Sequence, residues 1–166
     1  MFTELPSTRV GLSDFRSCLT FRGKQRCPEG TKQVHLALET VSWSGGCGAD
    51  GRATGQGVAE STWDDKVERA EGDYVGGRLN GRGVLTMPDG GRYEGEVRDG
   101  KPDGRGVLTM ANGASRYEGE FRDGKPNGFS TYSWPSGKLT GTWTNGCGRD
   151  GLRTAWVGTT REQCGF

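Results

Sequence analysis

The sequence predicts an all-β chain: an elongated antiparallel meander of repeated hairpins with an end cap at each terminus. Three observations predict it. Glycine takes 31 of the 166 positions, far above the ~7% of average proteins. Near-identical segments recur along the chain, the mark of a repeat architecture. Within them, apolar and charged residues alternate with the period of a strand that has one solvated face.

The same composition excludes other classes. Hydrophobic residues make up only 31%, too few for the thick core of an α/β enzyme, and glycine is costly inside helices. Five Trp, four Tyr and six Phe with a net charge of +1 do not fit a disordered chain, which is poor in aromatics and highly charged. Collagen's glycine at every third position is broken by His35-Leu36-Ala37-Leu38. No apolar run is long enough for a membrane-spanning helix. The near-neutral charge gives no pull toward nucleic acid. Met1–Gly11 lacks the basic start and apolar stretch of a secretory signal.

The repeat is explicit. Residues 93–104 (YEGEVRDGKPDG) and 117–128 (YEGEFRDGKPNG) differ only at Val97/Phe121 and Asp103/Asn127. Residues 81–90 (GRGVLTMPDG) and 104–113 (GRGVLTMANG) differ only at Pro88/Ala111 and Asp89/Asn112. An early, weaker copy starts at Trp43-Ser44-Gly45 and passes through Gly55-Gln56-Gly57, followed by a long acidic insertion over 58–73. Full units open at Tyr74, Tyr93 and Tyr117, and a degenerate one begins near Leu139. Each reads as a hairpin. Tyr93, Gly95 and Val97 fall on one strand face, with Glu94, Glu96 and Arg98 on the other. Asp99-Gly100 and Asp123-Gly124 supply the reversals, since Asp-Gly favours the tight turns of hairpins.

This pattern resembles the MORN (membrane occupation and recognition nexus) repeat family, whose unit has an aromatic-x-Gly start and a later Gly-x-Gly. The matching residues are Tyr74-Val75-Gly76, Tyr93-Glu94-Gly95 and Tyr117-Glu118-Gly119, with Gly81-Arg82-Gly83 and Gly104-Arg105-Gly106. The pattern departs at Gly128-Phe129-Ser130, where serine replaces the second glycine. The resemblance is close over 74–128 and reaches roughly 43–146; residues 1–42 and 147–166 are left as N- and C-terminal caps. It implies rings that cover the gaps left by glycine, on a face made by Tyr74, Tyr93, Tyr117, Val97, Phe121 and Trp143. It also implies scaffolding. A protein partner is expected along Tyr74, Tyr93, Tyr117, Phe121 and Trp143, or added at a sheet edge. The alternative that the family name implies is anionic lipid headgroups held by Arg82, Lys101, Arg105 and Lys125, at about 1 kcal/mol per basic residue.

No catalytic site, metal site or cofactor is expected. His35 is the single histidine, it lies in a strand-like run, and no nucleophile signature surrounds it. The pairs Glu94/Glu96 and Glu118/Glu120 fall on the solvated face beside Arg98 and Arg122, so cross-strand ion pairing accounts for them. Carbohydrate stacking on Tyr132, Trp134 and Trp143 is the weakest of the functional readings. An open meander leaves edge strands, so a homodimer through an edge is a further expectation.

The five cysteines are Cys18, Cys27, Cys47, Cys147 and Cys164. Cys47 and Cys147 lie at opposite ends of the repeats, too far apart to bond to each other. Pairing within each cap predicts Cys147 with Cys164. At the other end it predicts Cys18 with Cys27, leaving Cys47 free, or Cys27 with Cys47, leaving Cys18 free. Disulfides favour an oxidising compartment, periplasmic or secreted, over the cytoplasm.

Overall fold

The structure is a computed structural model that describes residues 32–36 and 39–166, with side chains from Ser42 onward. Within it are fourteen strands and no helix. The first six are β1 (Lys32–Leu36), β2 (Glu39–Trp43), β3 (Gly46–Cys47), β4 (Ala53–Trp63), β5 (Lys66–Val75) and β6 (Arg78–Thr86). Next come β7 (Arg92–Arg98), β8 (Lys101–Thr109), β9 (Arg116–Arg122) and β10 (Lys125–Pro126). The last four are β11 (Gly128–Trp134), β12 (Gly137–Thr144), β13 (Cys147–Asp150) and β14 (Arg153–Trp156). All pair antiparallel in chain order within one sheet, with β3 and β10 as short side pairings on β4 and β9. The chain is therefore the meander that the alternation predicts.

The sheet runs past both expected cap boundaries. β1 and β2 extend it before Trp43, and β13 and β14 add a hairpin after Gly146. What remains at the C-terminal end is a run of turns over 157–166. There Cys147 and Cys164 are joined as expected, with Cα atoms 5.6 Å apart. Cys47 is also disulfide-bonded, which overturns the pairing that left it free. Cys18 and Cys27 lie outside the described residues. A Cys147→Ser/Cys164→Ser variant is expected to lose about 3 kcal/mol of stability, the loop-closure effect for a bridge between residues 17 apart. Chemical denaturation of the oxidised and substituted proteins measures it.

Register corrects where the first unit opens. Tyr93 and Tyr117 both lie opposite Leu108, whereas the residue opposite Leu85 on β5 is Ala70. Tyr74 instead faces Leu79, as Val97 faces Pro102 and Phe121 faces Pro126. The first unit therefore begins at Ala70, with no opening ring. Its bulk is supplied from across the hairpin: a Cβ added at Gly83 would come within 2.8 Å of Leu79 Cδ2.

Each unit is docked on the one before by a repeated main-chain bond. The turn amides of Gly77, Gly100, Gly124 and Gly146 donate to the carbonyls of Ala53, Leu79, Pro102 and Pro126, at 2.8–2.9 Å. The geometry needs left-handed backbone at both turn centres, and Asp99 (φ 48°) with Gly100 (φ 80°) provides it. The Asp-Gly signal in the sequence is thus both the hairpin's reversal and its link to its neighbour.

The core occupies one face. Tyr74, Tyr93, Tyr117, Leu139 and Trp143 are at most 1% exposed, with Val97 and Phe121 at 4–5%. Rings meet edge to face from strand to strand: Trp43–Tyr74 at 4.5 Å between centroids, Tyr93–Phe121 at 5.0 Å, Tyr117–Phe121 at 4.9 Å and Tyr117–Trp143 at 5.1 Å. Such contacts add about 0.5–1.5 kcal/mol each beyond area burial. The glycines make this thin core possible. A Cβ at Gly106 would sit 2.5 Å from Cε2 and Cζ of Tyr93, and one at Gly95 would lie 2.6 Å from its hydroxyl.

Candidate functional site: the groove on the outer face

The expected partner row does not lie open. Tyr74, Tyr93, Tyr117, Phe121 and Trp143 are the core itself, because each ring lies over bare glycine backbone or against the next ring. Tyr93 donates its hydroxyl to the Glu96 carbonyl at 2.7 Å, and Tyr117 donates to the Glu120 carbonyl at 2.9 Å. At Tyr117 the serine that replaces glycine fits as a polar variant: Ser130 Oγ is 2.5 Å from the tyrosine oxygen and accepts from the Glu120 amide at 3.2 Å. Tyr132 and Trp134 are partly buried against the same core, and Trp143 is buried within it, so the three rings do not form one open stacking platform.

Burial raises the tyrosine pKa values. Tyr74 and Tyr93 are pushed well above the usual range, by desolvation first and then by nearby carboxylates, Glu68 for Tyr74 and Glu96 and Asp103 for Tyr93. Tyr117 is raised to about 12, chiefly by burial, with the Ser130 bond opposing and Glu120 reinforcing the shift. A phenol whose folded pKa exceeds its unfolded value near 10 contributes full stability below pH ~10. That contribution is lost as pH rises from about 10 toward 12. Unfolding and tyrosinate absorbance at 295 nm are therefore expected to rise together above pH 10. Ionisation of these tyrosines below pH 10 without unfolding would contradict the buried assignment.

The opposite face carries the open site. Gly72, Gly83, Gly95, Gly106 and Gly119 lie side by side in register across β5 to β9. Their missing side chains would point at the core, so the outer face there is bare backbone. The residues on either side of each glycine stand up as walls. Glu71, Val84, Glu94, Val107 and Glu118 form one wall, and Arg82, Glu96, Arg105, Glu120 and Phe129 line the other. The groove encloses about 940 Å³.

Charges in this groove are only partly neutralised. Arg69 pairs with Glu71 at 3.0 Å, Arg116 with Glu118 at 3.2 Å, and Arg92 with Glu94. Ion pairing thus runs along each strand, and not to Arg98 and Arg122 as expected: Arg98 goes instead to Asp103. Among the described residues, Glu96, Glu120, Arg82 and Arg105 have no ion-pair partner within 4 Å. Phe129 stands in the slot held by Arg82 and Arg105 in earlier units and is 70% exposed. Sequence reading misses Glu96, Glu120 and Phe129 as a set, although the Phe for Arg exchange at a repeat position is visible in the sequence.

The four expected lipid contacts do not form one basic patch. Arg82 lies opposite Glu96 and Arg105 opposite Glu120, both inside the groove. Lys101 stands at the turn margin of the sheet among Arg78, Arg98, Asp99, Asp103, Arg122 and Asp123, and Lys125 opens the equivalent strand of the next unit. No group of three or more His, Cys, Asp or Glu among the described residues is arranged to hold a metal ion.

A single-layer sheet of docked hairpin units, ringed on one face and grooved on the other, defines an open-ended β-repeat protein. The MORN repeat model matches three consecutive segments, residues 71–92, 93–115 and 117–138, so this part of the chain is a run of MORN repeats. The first match begins one residue after Ala70, in the register that strand pairing shows. Comparison with curated proteins gives no match.

Proposed function

We propose that this chain is a non-enzymatic scaffold that holds a segment of a partner protein in the glycine-floored groove of its outer face. One observation carries the reading. The ringed face is fully used as core, whereas the outer face keeps unpaired Arg82, Glu96, Arg105 and Glu120 and an exposed Phe129 in one groove. Exposed rings and guanidiniums are the residue types enriched where proteins bind proteins. The groove brings together carboxylates, guanidiniums and a ring.

An anionic membrane surface finds less support. Arg82 and Arg105 each stand among glutamates, which offset the ~1 kcal/mol that each basic residue gains near such a surface. Affinity capture from the native source with mass spectrometry tests the proposal. A Glu96→Arg/Glu120→Arg variant, with its circular dichroism unchanged, is expected to lose the specific partner. Equal capture by the variant and the unaltered chain would remove the outer groove as the site. Co-sedimentation with acidic vesicles at low salt that depends on Lys101 and Lys125 would favour the lipid reading instead.

A further inference from the structure

The C-terminal turns lie on the grooved face. On β13, Gly148 is directed at the core, where an added Cβ would collide with the Trp143 indole. Side chains alternate along a strand, so Cys147 and Arg149 stand on the opposite, grooved side. Register sets Phe129 opposite Thr142, and Thr142 opposite Arg149. Arg149 therefore continues the wall that Phe129 ends, two strands and about 9.6 Å farther on at ~4.8 Å per strand. It is covered there: its guanidinium carbon lies 4.5 Å from the centroid of the Phe166 ring. Among the described residues, Arg149 has no carboxylate partner within 4 Å.

One covalent bond holds this segment down. The Val157 amide still donates to the Gly146 carbonyl of the sheet. Beyond it, every hydrogen bond of 158–166 among the described residues stays inside the segment. Thr160 and Gln163 cap each other: the Thr160 amide donates to Gln163 Oε1 at 3.1 Å, and the Gln163 amide donates to Thr160 Oγ1 at 3.2 Å. The turn is thus self-contained. Two specific interactions tie it to the grooved face, the Phe166 ring on Arg149 and the Cys147–Cys164 bond. A single ring on an exposed guanidinium is a weak contact, and it is set against the conformational entropy of the whole segment. The disulfide decides that balance.

We propose that residues 158–166 are a disulfide-latched strap that closes the C-terminal end of the partner groove, and that reduction opens it. This rests on the outer groove being the partner site. A dithiol reductant supplies the two electrons: one of its thiolates attacks Cys164 Sγ and displaces Cys147, and its second thiol then displaces Cys164. The reductant leaves as a disulfide, its two protons passing to the cysteines, which become thiols. The strap then lifts, and a partner segment running along the groove is no longer stopped beyond Phe129. The wall extends to Arg149, whose freed guanidinium faces the carboxylates or carbonyls of that segment.

Amide resonances of the isotopically labelled full chain test the latch. In Cys147→Ser/Cys164→Ser, which leaves the bond at Cys47 in place, the Thr160–Phe166 resonances are expected to move to random-coil positions, with Gly95 and Gly106 unshifted. The unaltered chain, treated with dithiothreitol until Cys147 and Cys164 alkylate, is expected to match it over 158–166. Strap resonances that stay in their oxidised positions would overturn the proposal. Capture of the native partner tests the consequence. The released chain is expected to bind about tenfold more tightly than the latched one, the scale of one charge-assisted hydrogen bond, and Arg149→Ala in the released chain to cancel the gain. Equal capture by latched and released chains, with Glu96→Arg/Glu120→Arg still abolishing it, would overturn the strap's role and leave the groove reading standing. Capture that is independent of Glu96 and Glu120 removes the groove reading and the strap's role with it.

Discussion

Replacing Tyr93 with alanine is expected to destabilise the protein by about 3–5 kcal/mol, the range for deleting a buried aromatic ring. The ring is 1% exposed, touches Phe121 edge to face and lies over Gly95 and Gly106. The glycines beneath it have no side chains to fill the space, so the surrounding strands cannot close it without bending. Tyr93→Phe keeps the ring and loses only the bond to the Glu96 carbonyl, so about 1 kcal/mol is expected. Urea denaturation of both variants measures the contrast. Near-equal losses would mean that the hydroxyl, and not ring-over-glycine packing, carries the stability.

Adding a methyl group beneath that ring is the complementary change. Gly95→Ala and Gly106→Ala are each expected to cost about 1–3 kcal/mol or more through overpacking, but by different routes. At Gly106 the added Cβ meets the Tyr93 ring, 2.5 Å from Cε2 and Cζ. At Gly95 it also meets backbone, with the Arg105 carbonyl oxygen at 2.5 Å. Gly106→Ala combined with Tyr93→Ala should therefore cost less than the sum of the two, with a coupling of roughly 0.5–3 kcal/mol. The same combination with Gly95→Ala should show less relief, because the strand and not the ring blocks the methyl group. Strict additivity at Gly106 would contradict the packing described.

Local chemistry made the strands and turns readable. Asp99-Gly100, Asp123-Gly124 and the Tyr-Gly-Val alternation each encode their conformation within a few residues, and strand pairing then follows from hairpin to hairpin. Register of the first unit was less accessible. Tyr74-Val75-Gly76 imitates an opening triplet, while the true opening residue, Ala70, has no ring and is recognised only once it is seen opposite Leu85. The use of the rings was also hidden. Alternation separates the two faces, yet it does not say which face closes on itself; that depends on Tyr93 lying over Gly106, a residue brought beside it by pairing. The groove is longer-range still, since five glycines from five strands make a floor only when aligned in register. Glu96 and Glu120 read alone as ordinary solvated residues, and their pairing state follows from the reach of Arg92 and Arg116 toward the neighbouring glutamates.

The partner is proposed to lie on the grooved outer face, and not on the ringed face or the β14 edge. Carboxylate footprinting of the chain, free and in its captured complex, tests it most directly. A water-soluble carbodiimide and an amine label exposed Asp and Glu, and peptide mapping locates them. Glu94, Glu96, Glu118 and Glu120 are expected to be labelled in the free chain and protected in the complex, with Asp64 and Asp65 labelled equally in both. Protection confined to Asp150 beside β14, or to Asp99 and Asp123 at the turn margin, with the groove glutamates still reactive, would contradict it.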